Sequence, residues 1–572
     1  MDSRRRNTIH ALALATAAAA GAPAFAADVT FERLVNADKE PNNWLFNHRS
    51  YNGQRFSPLT QINRDNVKNM KLAYAVALGG TATGENIEAT ALVEDGFIYH
   101  IDNWSIVYKI DARSGDAGRI VWRMDPGEEK PPSWSNRGVA LWGNLVISVA
   151  GWPSRVIGTN KETGKVVWET NMQDQPTVEL TAAPLVVKDK VFIGASGGDR
   201  GTRDWLASLD AATGKVLWKK FTVPAPGEPG SETWKDHNNA WQTGGGSLWT
   251  TGTYDPDSNQ IFWGTGNPVP MFDPTYRPGD NLYTNSVISW NPDDGKMNWY
   301  HQYTPGDGWD YDAISTEIII DANVNGQSRR FLTQSNRNGH VYTMESANGQ
   351  MLVAKPYTNV NWTAGIDLKT GKPVEYVANA DRQMYNGVAT ATLDHNNVKQ
   401  CPTLGGGNNF WPSSYSPKTK LLYIPSDSGC DELKIDPNLS NPKGVWKGGV
   451  PTTFERIEGD LVAFDPIAGE IKKKAHWPYA SHAGSLATAG GLVYSAYADG
   501  TFAAFDDESM ELKWKINMGA GFTAPPISFG YNGKQYIAAT TGLSRIARGT
   551  LLKSPETNEM RNSTVMYVFT VD

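Results

Sequence analysis

Short apolar runs that end on Asp or Asn, turn through glycine and return as a second run closing on Trp recur along this chain. The phrase covers Asp111–Trp122, Asn160–Trp168, Asp210–Trp218, Asn291–Trp299 and Asp506–Trp514, with weaker copies at Asp367–Gly371 and Asp465–Gly469. Each Thr-Gly or Asp-Gly supplies a turn between two outer strands, and each closing Trp can pack against the neighbouring sheet and tie the two together. The first three copies lie about fifty residues apart, the period of a four-stranded propeller blade. Solenoids, or ordinary hairpins in an unrelated sandwich, fit that period less well. The runs Pro268–Asp280 and Asp436–Pro451 read as loops inserted between strands, so residues 27–572 are expected to form one all-β domain.

Composition points the same way. Of 572 residues 11% are aromatic, including 21 Trp, while 56 Gly, 33 Pro and 20% charged residues favour short strands with tight turns over helices or disorder. Arg4-Arg5-Arg6, the apolar run Ala11–Ala20 and Ala24-Phe25-Ala26 have the layout of a cleaved export signal over residues 1–26, too short to span a membrane. Ser3-Arg4-Arg5 resembles a twin-arginine signal, but the residues after it match that consensus poorly, and general export is the expectation. Cleavage would remove Asp2, Arg4, Arg5 and Arg6, leaving 50 basic against 59 acidic residues and a net charge of about −9. That balance argues against nucleic acid as a partner and is compatible with a basic redox protein. In an oxidising compartment Cys401 and Cys430 are expected as a disulfide, in preference to free thiols or a metal pair, worth about 3–4 kcal/mol by loop closure. No Cys-x-x-Cys-His occurs, so no covalent haem is expected on this chain.

The densest chemistry lies in Trp309-Asp310-Tyr311-Asp312. In a strand, residues two apart share a face, so both carboxylates could address one hard cation. Upstream, Asn267 sits in Gly-Thr-Gly-Asn-Pro and Trp249 closes Gly244-Gly245-Gly246-Ser247-Leu248-Trp249; downstream, Arg337 sits in Ser335-Asn336-Arg337-Asn338-Gly339. Taken singly, these have plain structural readings: a core Trp, a turn Asn, a turn Arg, a solvated Asp. Together and in this order they resemble the quinoprotein alcohol dehydrogenases, which hold pyrroloquinoline quinone (PQQ) and a metal at the centre of a β-propeller. The resemblance runs from Asn43 to Asp572. It implies an all-β fold, an eight-bladed β-propeller with tryptophan-docking repeats.

The resemblance also assigns roles. Trp249 matches the floor on which the flat quinone stacks. Asn267 and Asp310 match metal ligands, Asp310 serving also as the base, and such hard oxygen donors suit calcium or a lanthanide(III) ion. Asp312 matches the extra aspartate of lanthanide-dependent members, where added negative charge favours a trivalent ion. Asp199, in Gly194-Ala195-Ser196-Gly197-Gly198-Asp199, stands where the family has a glutamate as metal ligand. Its reach is shorter by about 1.5 Å, which leaves compensation by Asp312 or binding through water. Ser196, Gly197 and Gly198 match a segment along the quinone edge. Thr181, Glu88 and Asn409 match positions that hydrogen-bond quinone carboxylates or carbonyls, and Arg137 matches a carboxylate-pairing arginine. Arg337 matches the cation beside the reactive quinone oxygens, where a fixed charge stabilises the anion as it develops. Cys401 and Cys430 fall where the methanol-oxidising branch has a disulfide.

Two departures from the family pattern are plain. Pro131-Pro132 holds the place of an adjacent, disulfide-bonded cysteine pair, and His482 stands where relatives commonly have Trp, as a pocket-opening residue, a polar contact or a packed histidine. The implied function is oxidation of alcohols to aldehydes or ketones by hydride transfer to metal-bound PQQ in the periplasm. Electrons would pass to a soluble cytochrome c, and a homodimer is left open. Because the cysteine pair is also absent from branches acting on sugars, polyols or bulky secondary alcohols, those substrates stay open too. The competing class is a non-catalytic propeller scaffold, which has no reason to place Trp249, Asn267, Asp310 and Arg337 together. A nicotinamide site is excluded, because Gly519-Ala520-Gly521-Phe522-Thr523-Ala524 runs into Pro525-Pro526 and cannot open the helix that motif needs.

Overall fold

The computed structural model describes residues 28–79, 86–129, 135–386, 391–440, 445–453, 455–543 and 552–572. The expected export signal, residues 1–26, and Pro131-Pro132 lie outside them. Among the described residues Phe31–Val35 is the one α-helix, and most other regular structure is strand. No helix among them is long and apolar enough to cross a membrane.

Eight sheets of four or five strands follow one another along the described chain. The first consists of Leu92–Glu94, Phe97–Ile101, Val107–Asp111 and Arg119–Met124, paired in sequence order. Sheets two to seven repeat that order within residues 140–171, 185–221, 253–302, 318–356, 414–477 and 485–517. Sheet seven also takes Phe56–Ser57 as a parallel fifth strand. The eighth joins Ile527–Tyr531, Lys534–Thr540 and Val565–Thr570 to Lys71–Ala77, with Lys71 opposite Thr570. This pairing of segments from opposite ends of the described chain closes the sheets into a β-propeller. Inner strands such as Leu145–Gly151 and Trp205–Asp210 are almost wholly buried and mostly apolar, whereas the outermost strand Val216–Phe221 is largely exposed.

Trp122, Trp168, Trp218, Trp299 and Trp514 occupy one structural place, directly after a register shift in the fourth strand of their sheets. Such a bulge re-aims the side chain, here onto the next sheet. Trp122 Nε1 donates to Lys161 O at 3.1 Å, Trp168 Nε1 to Ala211 O at 3.2 Å, Trp299 Nε1 to Ser346 O at 3.2 Å and Trp514 Nε1 to Met70 O at 3.1 Å. Gly164 shows why the turns need glycine: its φ is +70°, and a Cβ there would stand 2.8 Å from the Trp122 ring. Trp168→Ala is expected to cost about 3 kcal/mol, the low end for emptying a buried Trp site. A lowered urea midpoint with unchanged slope would show it.

In sheets five and six the docking place is held by Val353 and Lys473. The turn Glu345–Gly349 of sheet five therefore lacks the closing Trp and is invisible to a pattern that requires one. Asp465–Gly469 does form the equivalent turn of sheet six. Asp367–Gly371, expected as another weak copy, belongs instead to a separate two-stranded hairpin of Ile366–Asp367 and Lys372–Pro373. Its Thr-Gly makes the turn, but no third or fourth strand joins it.

Beside sheet six, Val398–Gln400, Asp431–Ile435 and Gly449–Thr453 form a further three-stranded sheet. The strand Gly449–Thr453 takes in the end of the run Asp436–Pro451, which was expected to be loop throughout. Cys401 and Cys430 flank two of these strands and form a disulfide, S–S 2.02 Å. Replacing both with Ser is expected to lower stability by about 3–4 kcal/mol, because the bridge closes a loop with a sequence separation of 29 residues. Thermal unfolding with and without reductant checks it.

Candidate active site

In an antiparallel four-stranded sheet, the start of the first strand and the turn between the second and third lie at the same end. Every residue selected from the sequence for quinone or metal falls in one of those two places. Glu88, Arg137, Thr181 and Trp249 precede the first strands of sheets one to four, Asp310 and Asp312 that of sheet five, and Asn409 that of sheet six. Ser196, Gly197, Gly198 and Asp199 follow the second strand of sheet three, Asn267 that of sheet four and Arg337 that of sheet five. The tryptophan turns, between third and fourth strands, occupy the opposite end. Pairing order alone thus gathers positions from 88 to 409 on one side of the propeller.

The residues meet there. Trp249 Nε1 donates to Asp312 Oδ2 at 2.6 Å, and the Asn267 backbone N–H donates to Asp312 Oδ1 at 3.2 Å. Arg337 bridges the two aspartates, with Nη2 donating to Asp310 Oδ2 at 2.7 Å and Nη1 lying 3.2 Å from Asp312 Oδ1. Its Nε also donates to Leu404 O at 3.0 Å. On the far side of Trp249, the Arg137 guanidinium lies over the indole at 4.5 Å, donates to Trp249 O at 3.2 Å and pairs with Glu88 at 2.7 Å. Phe410 completes this aromatic wall, its ring 6.4 Å from Trp249 and 5.4 Å from the Arg137 guanidinium.

The remaining selected residues sit around this core. Thr181 Oγ1 and Ser196 Oγ share a hydrogen bond of 3.2 Å. The Gly198 N–H donates to Ser247 Oγ at 3.2 Å, and that hydroxyl donates to buried Asp204 at 2.5 Å, joining the Asp199 turn to the Trp249 segment. At Gly197, φ +111°, a Cβ would fall 2.1 Å from Thr177 O, so this glycine is required by the protein's own packing. Asn409 is buried, and its amide donates to Gly405 O at 2.9 Å.

Asp310 and Asp312 are not in a strand. They lie in the irregular segment between Met297–Gln302 and Ile318–Val324, and Asp310 has φ +68°. The shared face expected from strand alternation is produced instead by a left-handed residue in a tight turn.

Burial and crowding set the electrostatics. Burial drives the Asp310 carboxyl well above its ordinary range; Arg337 opposes this, while Asp312, Asp199 and Asp307 add to it. Burial, then Asp312, pushes Asp199 up to about 6 against the pull of Arg337 and a hydrogen bond from Asn267. Arg337 would be lowered by burial, but Asp310, Asp312, Asp199 and Asp307 outweigh that and hold it raised. Glu88 is raised by burial against Arg137 and His482, and Arg137 is lowered by burial.

Asp310 and Asp312 share the Arg337 guanidinium, and Asp199 with the Asn267 amide lies close enough to act on them, a set of hard oxygen donors. That donor set fits a hard cation and not a soft one. Among the described residues no three His, Cys, Asp or Glu side chains converge on one point; Asp310 and Asp312 are held through Arg337, Trp249 and Asn267. The Trp249 indole, with the Arg137 guanidinium stacked over one face and Glu88 paired to it, supplies the aromatic area and paired polar groups suited to a flat, carboxylate-bearing quinone on the indole.

Several groups escaped sequence reasoning: Asp307, Gln334, Phe410 and Asp427. Gln334 Nε2 donates to Ala313 O at 2.9 Å and Ser315 O at 2.8 Å, while its carbonyl accepts from Asn336 at 2.7 Å, linking the aspartate segment to the arginine turn. Asp427 holds His482 Nε2 at 2.8 Å, and the imidazole stacks on Trp411 at 3.9 Å. His482 is therefore both packed and polar-paired. Only Asp307 carried a local signal, an Asp between two glycines in Gly306-Asp307-Gly308.

Comparison with known proteins identifies the family. The family profile described as "PQQ: Glucose/ethanol/alcohol dehydrogenase, beta-propeller domain" matches residues 44–364 and 452–537. The quinohemoprotein alcohol dehydrogenase ADH IIB of Pseudomonas putida is 33% identical, with 100% of this chain and 83% of that protein covered. The quinoprotein alcohol dehydrogenase PedH, also from Pseudomonas putida, is 31% identical over 95% of this chain and 93% of its own length. Among solved structures, a europium-containing methanol dehydrogenase superposes with a TM-score of 0.85 at 26% identity, covering 94% of this chain and 100% of that one. The chain belongs to the PQQ-dependent alcohol dehydrogenase family.

Proposed function

We propose that this protein oxidises primary or secondary alcohols to aldehydes or ketones in the periplasm and passes the electrons to a soluble cytochrome c. The eight sheets are read as eight blades. The observation that carries the reading is the single hydrogen-bonded cluster of Trp249, Asp310, Asp312 and Arg337 at one end of the propeller. When bound, PQQ supplies the hydride acceptor and a hard cation supplies Lewis acidity. Trp249 is the stacking floor, and Arg137 with Glu88, Thr181, Ser196 and Asn409 provides polar contacts at its rim. Asp199, Asn267, Asp310 and Asp312 would supply the cation's oxygen donors. Asp310 accepts the alcohol's hydroxyl proton, and Arg337 offers positive charge where negative charge develops.

Asp312 adds a carboxylate to the site, and added negative charge favours a lanthanide(III) over calcium by Coulomb attraction. The europium in the similar methanol dehydrogenase is in keeping with that preference. A direct test adds PQQ with lanthanum(III) or with calcium to the purified protein and follows dye reduction by a panel of alcohols, sugars and polyols. Activity is expected with short alcohols and stronger with lanthanum. No activity with either metal on any substrate would end the proposal.

A further inference from the structure

Asp307 is fully buried, and its carboxylate is engaged by three successive backbone groups. Trp309 N–H donates to Oδ1 at 3.1 Å; Asp310 and Tyr311 N–H donate to Oδ2 at 3.1 and 3.2 Å. Three N–H groups drawn to one anion wrap the chain tightly around it. At the centre of that wrap Asp310 takes φ +68°, a conformation that disfavours any residue with a Cβ and persists only where surrounding contacts enforce it. Hydrogen bonds to an ionised carboxylate are among the strongest available to do so.

Asp307 is itself fixed in place. Fully buried Arg277 donates from Nη2 to Asp307 O at 2.6 Å and to Met271 O at 2.9 Å, and from Nε to Pro270 O at 2.8 Å. Pro270 and Met271 lie just beyond Asn267 in sequence. The loop that carries Asn267 and the turn that carries Asp310 therefore hang from one guanidinium.

We infer that Asp307, anchored by Arg277, is a positioning residue: it sets the backbone of Asp310 and so aims Asp310 and Asp312 at Arg337. Its catalytic consequence rests on the function proposed above, whereas its geometric content does not. Asp307→Ala removes both acceptor oxygens and with them all three hydrogen bonds. Asp307→Asn keeps one oxygen for the Asp310 and Tyr311 N–H groups and turns an amide toward Trp309.

The test combines crystal structures of both variants with kcat, KM for ethanol and bound PQQ per chain. In Asp307→Ala, Asp310 should leave the left-handed region and kcat per bound quinone should fall about 10²-fold, as expected for slight misplacement of reacting groups, with KM changed less. Asp307→Asn should recover most of that loss. A purely structural role would lower yield or thermal stability while sparing kcat per bound quinone. Asp310 still left-handed and bonded to Arg337 in Asp307→Ala, or kcat per bound quinone of Asp307→Ala equal to that of the unsubstituted protein, would overturn the inference. If Asp307→Ala does not fold, Asp307→Ser, whose single shorter oxygen cannot hold all three N–H groups, decides by the same two readouts. If the unsubstituted protein oxidises no alcohol, the proposed function fails, and the Asp310 backbone in the variant structures still decides the positioning.

Discussion

Asp310→Asn is expected to yield a folded, quinone-binding protein whose kcat for alcohol oxidation is lower by about 10²–10⁴-fold, the usual worth of a positioned base. The asparagine oxygen can still accept from Arg337 Nη2, as Asp310 Oδ2 does at 2.7 Å, so the bridge between the two turns survives. What is lost is the capacity to take a proton and one negative charge beside the cation, so the comparison is made at saturating metal. The Trp249 floor, Arg137 and Glu88 are untouched, so PQQ content and KM should change little. Stopped-flow absorbance of the bound quinone after mixing with ethanol measures the step directly. A rate within tenfold of the unsubstituted protein would remove Asp310 from the role of base.

Asp312→Asn is expected to change which cation the site prefers. The substitution keeps an oxygen for one of the two donors, Trp249 Nε1 on Oδ2 or the Asn267 N–H on Oδ1, sets an amide NH2 against the other, and deletes one negative charge. A unit charge about 4 Å away is worth about 4 kcal/mol at the effective dielectric of a partly buried site. A trivalent ion has one more charge to lose that attraction than a divalent ion has. The ratio of lanthanum(III) to calcium affinity should therefore fall by 10²–10³-fold or so, after relaxation of the site. Competition titrations followed by terbium luminescence measure that ratio. A ratio unchanged within a factor of three would show that Asp312 does not set metal choice.

Much of this molecule is legible in its sequence because the devices that build it are local. Thr-Gly and Asp-Gly turns, bulges and docking tryptophans act within a dozen residues, so five of the eight sheets announce themselves by their closing Trp. The sheets at Val353 and Lys473 do not, because a side chain that replaces Trp leaves no signature. The eighth sheet could not be read either, since its fourth strand, Lys71–Ala77, comes from the other end of the described chain. The site residues were legible through resemblance, one position at a time, because their chemistry is fixed by residue type: an indole for a flat ring, carboxylates for a hard cation, a guanidinium for developing negative charge.

The sequence by itself determined the all-β character, the repeated unit and the identities of Trp249, Asn267, Asp310, Asp312 and Arg337. The tertiary structure alone decided that these residues converge. It did so by stacking the starts of first strands and the second turns at one end, and by closing the ring through a distant pairing. It also decided that Asp310 and Asp312 share a face through a left-handed turn wrapped around Asp307, where a strand had been expected. The reason is physical: φ at one residue is set by where three N–H groups find an acceptor, and that acceptor is held by Arg277 through carbonyls of a loop some thirty-five residues away.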